Sequence, residues 1–146
     1  MTLCKTLFFI LVFLTACNHI QTGYTLSKTD IDRIQKLNLL DKDERIYKFY
    51  LEFKSDVAGN FFTNKRLAKY WIDKKDKTKD QISFAYYPDI KSIDTVYNAG
   101  ATHCPYMLVT KNNGSQFKVC FDGKQKEIKE IFEEALNEWA QNKTPK

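Results

Sequence analysis

The spacing of the apolar residues constrains the fold most, because it changes to a period of two at about residue 45 and keeps that period to residue 121. Short segments of alternating apolar and polar residues, separated by turn residues, are typical of half-buried β-strands. The alternation predicts seven antiparallel strands, at about 45–53, 60–63, 66–72, 81–87, 91–97, 105–110 and 116–121. The sequence therefore predicts a mostly β fold.

An amphipathic helix is predicted to end the chain. After Asp122, apolar residues recur at steps of three and four and form one wide stripe, at Ile128, Ile131, Phe132, Ala135, Leu136 and Trp139. Lys and Glu cover the opposite face, which is the pattern of a helix that packs on one side. We expect Phe132 and Trp139 to plug an open corner between two short, bent sheets.

A shorter apolar stripe precedes the strands. Ser27 begins a variant of the capping box, which marks the start of a helix. Apolar residues then recur at steps of three, at Ile31, Ile34 and Leu37. This spacing predicts a short N-terminal helix over about 28–38. Residues 17–26 are polar without a pattern and are expected to be a tether.

The first 16 residues have the features of a bacterial lipoprotein signal peptide. Lys5 is followed by the apolar run Leu7–Leu14, which is far shorter than the roughly 20 residues that span a bilayer. Leu14-Thr15-Ala16-Cys17 resembles the lipobox, which implies cleavage before Cys17 and lipidation of its sulfur and its new amine. Asn18, in place of Asp, points by the same resemblance to the outer membrane. An ordinary secretory signal is the alternative.

The composition excludes several classes of protein. The 146 residues contain 14% aromatic residues, too many for a disordered chain, and only 5 Gly and 3 Pro. A formal net charge of +5 is too small to argue for nucleic-acid binding by itself. The residues after the signal peptide are enough for one domain, so no second domain is expected.

The order of seven short strands and one C-terminal helix resembles the pleckstrin-homology (PH)-like barrel. Phe62–Leu67 (FTNKRL) resembles the L-T-x-x-R-L hairpin of bacterial PH-like and GRAM domains, and Asp89–Asp94 resembles their D-I-x-x-I entry to strand 5. The resemblance covers about 45–141, and the N-terminal helix is an addition to the minimal fold, so we expect one domain over 27–141 and a tail at 142–146. An open antiparallel sheet with a helix on one face is the alternative.

Cys104 and Cys120 are candidates for a disulfide, since an oxidising compartment favours pairing. The predicted hairpin argues against it. If Asn113-Gly114 is a two-residue turn, Cys120 lies opposite Met107, on the other face of the sheet from Cys104. The sequence leaves the bridge open.

Tyrosines and lysines are the candidate binding surface. The eight tyrosines are too many to be in the core together, and amphipathic rings are common at binding surfaces. A lysine-rich loop covers 73–80, where Asp residues offset its charge. The candidates are Tyr50, Tyr70, Tyr87, Tyr97, Lys74, Lys75, Lys77 and Lys79. Core tyrosine pairs and an ordinary solvated loop are the alternative interpretations.

The sequence carries no recognisable catalytic motif or set of metal ligands, so neither a cofactor nor a metal is expected. His103 next to Cys104 has no carboxylate at a defined spacing. These features predict a membrane-tethered, non-catalytic PH-like module of the bacterial envelope, with a protein or peptide partner and no nucleic acid. A small envelope hydrolase and an inhibitor or immunity-type lipoprotein are the alternatives.

Overall fold

The computed structural model describes residues 20–101 and 103–144, so the signal peptide 1–16 and Cys17 lie outside the described residues. The chain forms eight strands and two α-helices. The strands are β1 (Ile20–Gln21), β2 (Ile46–Tyr50), β3 (Ala58–Thr63), β4 (Arg66–Trp71), β5 (Gln81–Tyr86), β6 (Ile90–Val96), β7 (Tyr106–Lys111) and β8 (Gln116–Cys120). The helices are α1 (Lys28–Lys36) and α2 (Gln125–Asn142). The predicted mostly β fold with a C-terminal helix is confirmed.

The strands form two antiparallel sheets, which do not close into a continuous barrel. The first sheet has the order β1-β2-β3-β4-β5, and the second has the order β6-β7-β8. The chain leaves the first sheet after β5 through a short 3₁₀ turn at Tyr87–Asp89. The Tyr87 amide still donates to the Lys65 carbonyl, but the turn then redirects the chain, so the pairing ends and the two sheets separate.

Each face of the first sheet has its own apolar core. Residues that point to the second sheet and to α2, such as Phe62 and Leu67, pack with Val119, Phe121 and Phe132. Residues that point the other way, Phe49, Phe61 and Tyr70, pack against α1 and the segment that follows it. Those two parts of the chain contribute Ile34 and Leu39 to the same core. The fold therefore has three layers, in which α1 covers the outer face of the first sheet.

The apolar stripe of α2 lies where the sequence predicts. Ile128, Ile131, Phe132 and Ala135 are buried. The Phe132 ring contacts Phe121 edge-on, with ring centroids 6.3 Å apart. Trp139 is only partly buried and packs at the margin of the same core.

The predicted tether at 17–26 is wrong from Ile20 onward. β1 pairs with β2, with Ile20 opposite Tyr50 and Gln21 opposite Phe49. The Gly23 amide then donates to the Ile46 carbonyl, 3.1 Å away, and Leu26 is buried. A strand of two residues is too short to show a period, which is why the sequence pattern did not reveal it.

The β7–β8 hairpin differs from its prediction by one residue. Thr110 lies opposite Gln116 and Tyr106 lies opposite Cys120. The loop has three residues instead of two, because the Lys111 amide bonds to the Ser115 carbonyl around Asn112–Gly114. Gly114 has φ +85°, the left-handed conformation that ends such a loop. A shift of one residue moves side chains to the opposite face, so the face assigned to Cys120 was wrong.

Candidate functional site

Three of the four candidate tyrosines are buried and one is half-buried. Tyr50, Tyr70 and Tyr87 are buried, and Tyr97 is half-buried with its ring 5.4 Å from that of Phe132. The Tyr70 hydroxyl donates to the Ser55 carbonyl and the Tyr87 hydroxyl to the Thr63 carbonyl. Burial raises the pKa of both phenols well above the ordinary value. The expected exposed aromatic face is therefore not seen at these positions, because Tyr50, Tyr70 and Tyr87 fill two separate cores.

The four candidate lysines, Lys74, Lys75, Lys77 and Lys79, are exposed in the β4–β5 loop (72–80). Carboxylates within the loop bind its own backbone. The Asp73 Oδ1 accepts two loop amides, and the Asp80 Oδ1 accepts the Asp73 amide at 2.7 Å. Asp56 of the neighbouring β2–β3 loop (51–57) pairs with Lys74, and their hydrogen bond lowers the pKa of Asp56. The loop is thus ordered and its positive charge is offset.

Cys104 and Cys120 form a disulfide, with their Cα atoms 5.8 Å apart. The bridge lies in the wall of a polar cavity of about 460 Å³ that is also lined by Tyr50, Glu52, His103 and Asp122. Burial, followed by the nearby charges of Asp122 and Glu52, raises the pKa of the Tyr50 phenol.

In the described part of the chain, no group of three or more His, Cys, Asp or Glu side chains could hold a metal ion.

Arg66, at the start of β4, is a buried cation with two carboxylates and one backbone carbonyl as partners. Its Nε and Nη2 donate to the two carboxylate oxygens of Glu44, at 2.9 and 2.6 Å. Nη2 also lies 2.9 Å from Asp41 Oδ1, and Nη1 donates to the Asn38 carbonyl. The Thr63 hydroxyl donates to Glu44 as well. This arrangement joins the β3–β4 hairpin to the segment before β2 and leaves little capacity for a ligand.

Strand β5 is the long open edge of the first sheet. Its one strand neighbour among residues 20–101 and 103–144 is β4. The Tyr87 amide donates to the Lys65 carbonyl. In an antiparallel pair every second residue bonds to the neighbouring strand, so Ala85, Ser83 and Gln81 are the residues of β5 whose backbone groups bond to β4. The backbone N–H and C=O groups of the residues between them, Ile82, Phe84 and Tyr86, therefore point away from the sheet. We call these three residues the β5 edge.

The side chains of the β5 edge form a partly exposed apolar strip. Ile82 is 41% exposed, while Phe84 and Tyr86 are half-buried and contact each other edge-on. Cations lie over both rings, with the Arg66 guanidinium carbon 4.3 Å from the Tyr86 centroid and Lys111 Nζ 5.7 Å from that of Phe84. Such contacts are attractive, because the face of an aromatic ring is negative. The strip is thus apolar, with the Lys111 ammonium at its margin and the Arg66 charge paired with Glu44 and Asp41.

The other strand edges are short or charged. β1 has two residues, and the edge strand β6 carries Lys91 and Asp94, both exposed. Charges on an edge strand prevent unwanted pairing with another chain. The sequence of β5, QISFAY, has no charge and no proline. The sequence reasoning missed this site, although the uncharged run was visible, because edge position depends on which strands pair.

A second cavity, of about 250 Å³, lies between α1 and β2. Its lining is mostly apolar and includes Tyr24, Ile31, Leu40, Ile46 and Tyr47.

No helix among residues 20–101 and 103–144 is long and apolar enough to cross a bilayer.

The comparisons with known proteins identify a fold and no function. No family sequence model and no curated protein matches the chain. The chain is similar to the crystal structure of a DUF1696 family protein with a pleckstrin-homology domain from Shewanella loihica PV-4, with a TM-score of 0.54 and 11% identity. The match covers 86% of this chain and 98% of that one. The chain therefore has a PH-like fold, in agreement with the resemblance seen in its motifs.

Proposed function

We propose that this protein is a lipid-anchored, non-catalytic binding module of the bacterial envelope that takes an extended segment of a protein partner along the β5 edge. The observation that carries the proposal is the open strand itself, with three residues whose backbone groups point outward, no charge and an aromatic strip. A peptide that adds to a sheet edge gains main-chain hydrogen bonds, and the strand's alternate side chains provide specificity.

The chemistry of the strip indicates the kind of segment that would fit. Phe84 and Tyr86 offer apolar ring surface, and the Lys111 ammonium lies 5.7 Å from the Phe84 ring centroid. An extended segment with apolar residues at alternate positions and a carboxylate near Lys111 would match both features. An inhibitor or immunity-type lipoprotein could use the same surface.

The anchor is supported by the residues 14–17 and is tested separately. The mature protein would carry acyl chains on Cys17, and two or more chains make membrane binding stable. Changing Cys17→Ala should move the protein from the membrane fraction to the soluble periplasmic fraction. Unchanged fractionation of this variant would contradict the anchor and would leave the β5 edge untouched.

Site-specific photocrosslinking in intact cells tests the edge. A photoreactive phenylalanine at Ile82 should give a discrete adduct with a partner, whereas the same residue at Glu133, which is exposed on α2, should not. Adding Ser83→Lys to the Ile82 probe variant places a charge beside the edge and should remove the adduct. Adducts of equal yield from both positions, or an adduct that survives the added charge, would contradict the proposal.

A further inference from the structure

The chain enters the domain at one defined end. Ile20 lies opposite Tyr50, the last residue of β2. The β2–β3 loop follows Tyr50 directly, and Ala58 at its far side pairs with Trp71, which precedes the β4–β5 loop. Lys74 and Asp56 pair across these two loops. We call the two loops, 51–57 and 72–80, the entry end.

The proposed anchor lies very close to this end in the sequence. Only Asn18 and His19 separate Cys17 from Ile20. Three Cα–Cα steps of 3.8 Å reach at most about 11 Å in any conformation. By comparison, β4 alone rises about 17 Å from Arg66 to Trp71. A tether this short therefore holds the entry end near the lipid and keeps the opposite end away.

The surface of the entry end suits a lipid interface without a specific headgroup. Phe53 is 60% exposed, and the Lys54 ammonium lies 5.8 Å from its ring centroid. Trp71 is 41% exposed at the base of the same end. The two loops together carry five lysines and five carboxylates, so their formal charges cancel. Apolar contact and the tether, and not charge, would hold this end on the membrane.

We propose that the entry end rests on the bilayer, with Phe53 at the interface and the strands of the first sheet directed away from the lipid. The inference rests on the proposed lipid anchor at Cys17. In this orientation the β5 edge runs away from the membrane and faces sideways, where a partner in the periplasm reaches it. The β3–β4 turn lies at the far end, beside Asn142 at the end of α2.

The two tryptophans of the protein report on the two ends. Trp71 lies at the entry end, and Trp139 lies about one helical turn before Asn142, at the far end. The full lipoprotein, extracted from membranes with its acyl chains, is reconstituted in phosphatidylcholine vesicles that contain a dansyl-labelled lipid. Trp139→Phe leaves Trp71 as the energy donor, and Trp71→Phe leaves Trp139. Energy transfer to the lipid should be at least twofold more efficient from Trp71.

Flotation of the vesicles separates the anchor from the orientation. Protein that does not float with the vesicles would overturn the anchor and, with it, the orientation. Protein that floats but transfers energy equally, or better, from Trp139 would overturn the orientation alone. The ratio should be the same in vesicles with added phosphatidylglycerol, and a preference for Trp71 that needs the anionic lipid would also overturn the proposal.

A third variant covers the case in which Trp139→Phe does not fold. Phe53→Trp is made together with Trp71→Phe, so one tryptophan lies on the exposed β2–β3 loop. The second, Trp139, stays at the margin of the core. Compared with Trp71→Phe alone, the double variant should show at least twofold more energy transfer and a blue shift on vesicles. Transfer that does not rise would place Phe53 away from the lipid and contradict the proposal.

Discussion

Glu44 and Arg66 form a salt bridge in which both side chains are fully buried. Two oxygens of Glu44 meet two nitrogens of Arg66, and Thr63 donates to the same carboxylate. The sequence could not predict this pair. The two residues are 22 positions apart, and Glu44 lies in a polar turn where a solvated carboxylate is the ordinary expectation. Only the fold brings them together.

Removing the carboxylate charge should be costly. Glu44→Gln leaves the buried guanidinium with only the half-exposed Asp41 as a charged partner. We expect the free energy of unfolding to fall by about 3 kcal/mol, the size typical of a broken buried pair. Urea denaturation followed by circular dichroism measures it. Asp43→Asn, which removes an exposed partner of Lys65, is the matched control and should change stability by less than about 0.5 kcal/mol.

Gly59 gives a second test at this scale. It lies in β3, where a Cβ atom would come within 2.5 Å of the Phe49 ring and 2.9 Å of the Tyr70 ring. Gly59→Ala should therefore lower the free energy of unfolding by about 1–3 kcal/mol through overpacking. In Gly123→Ala the nearest atom is the flexible Glu127 carboxylate at 3.1 Å, so a similar loss there would contradict a packing origin.

The strands and α2 could be predicted from the sequence because their apolar periods are local. β2 to β8 each begin within a few residues of the predicted position, and the α2 stripe is buried as expected. The prediction of β1 and the prediction of the β7–β8 register were wrong for different physical reasons. β1 is stabilised by its pairing with β2 and has no pattern of its own. The β7–β8 register depends on whether Asn112 belongs to the loop, and the Asn-Gly pair fits both a two-residue and a three-residue loop.

The disulfide follows from that register, and its effect on stability can be measured. It closes a loop between Cys104 and Cys120, which are 16 positions apart in the sequence. Replacing both cysteines by Ser should lower the free energy of unfolding by about 3 kcal/mol, the value expected for a loop of this length. Denaturant unfolding of the oxidised wild type, the reduced wild type and the double variant makes the comparison. A double variant as stable as the oxidised protein would contradict a structural role for the bridge.

For the whole molecule, the sequence predicted the class of fold more closely than its layering. Seven strands and a closing helix suggested two bent sheets open at one corner, and two sheets do form, but the first has a fifth strand, β1, and a second core on its outer face. The outer face of the first sheet carries Phe49, Phe61 and Tyr70, which no strand or α2 covers. Alternation alone cannot tell which element packs on which face. The burial of Tyr50, Tyr70 and Tyr87 could not be predicted for the same reason, since burial is a property of the assembled layers.

A truncated protein should show what the N-terminal layer does. Two soluble forms are compared, one that begins at Asn18 and one that begins at Asp41 and so lacks β1 and α1. The shorter form exposes Phe49, Phe61 and Tyr70, each able to bury about 150–250 Å², and monomers rarely expose so large an apolar area. We expect it to bind a hydrophobic dye and to aggregate on size-exclusion chromatography, while the longer form stays monomeric. A shorter form that is monomeric and folds as cooperatively as the longer one would mean that α1 is dispensable, and that the two-sheet core with α2 is stable without a third layer.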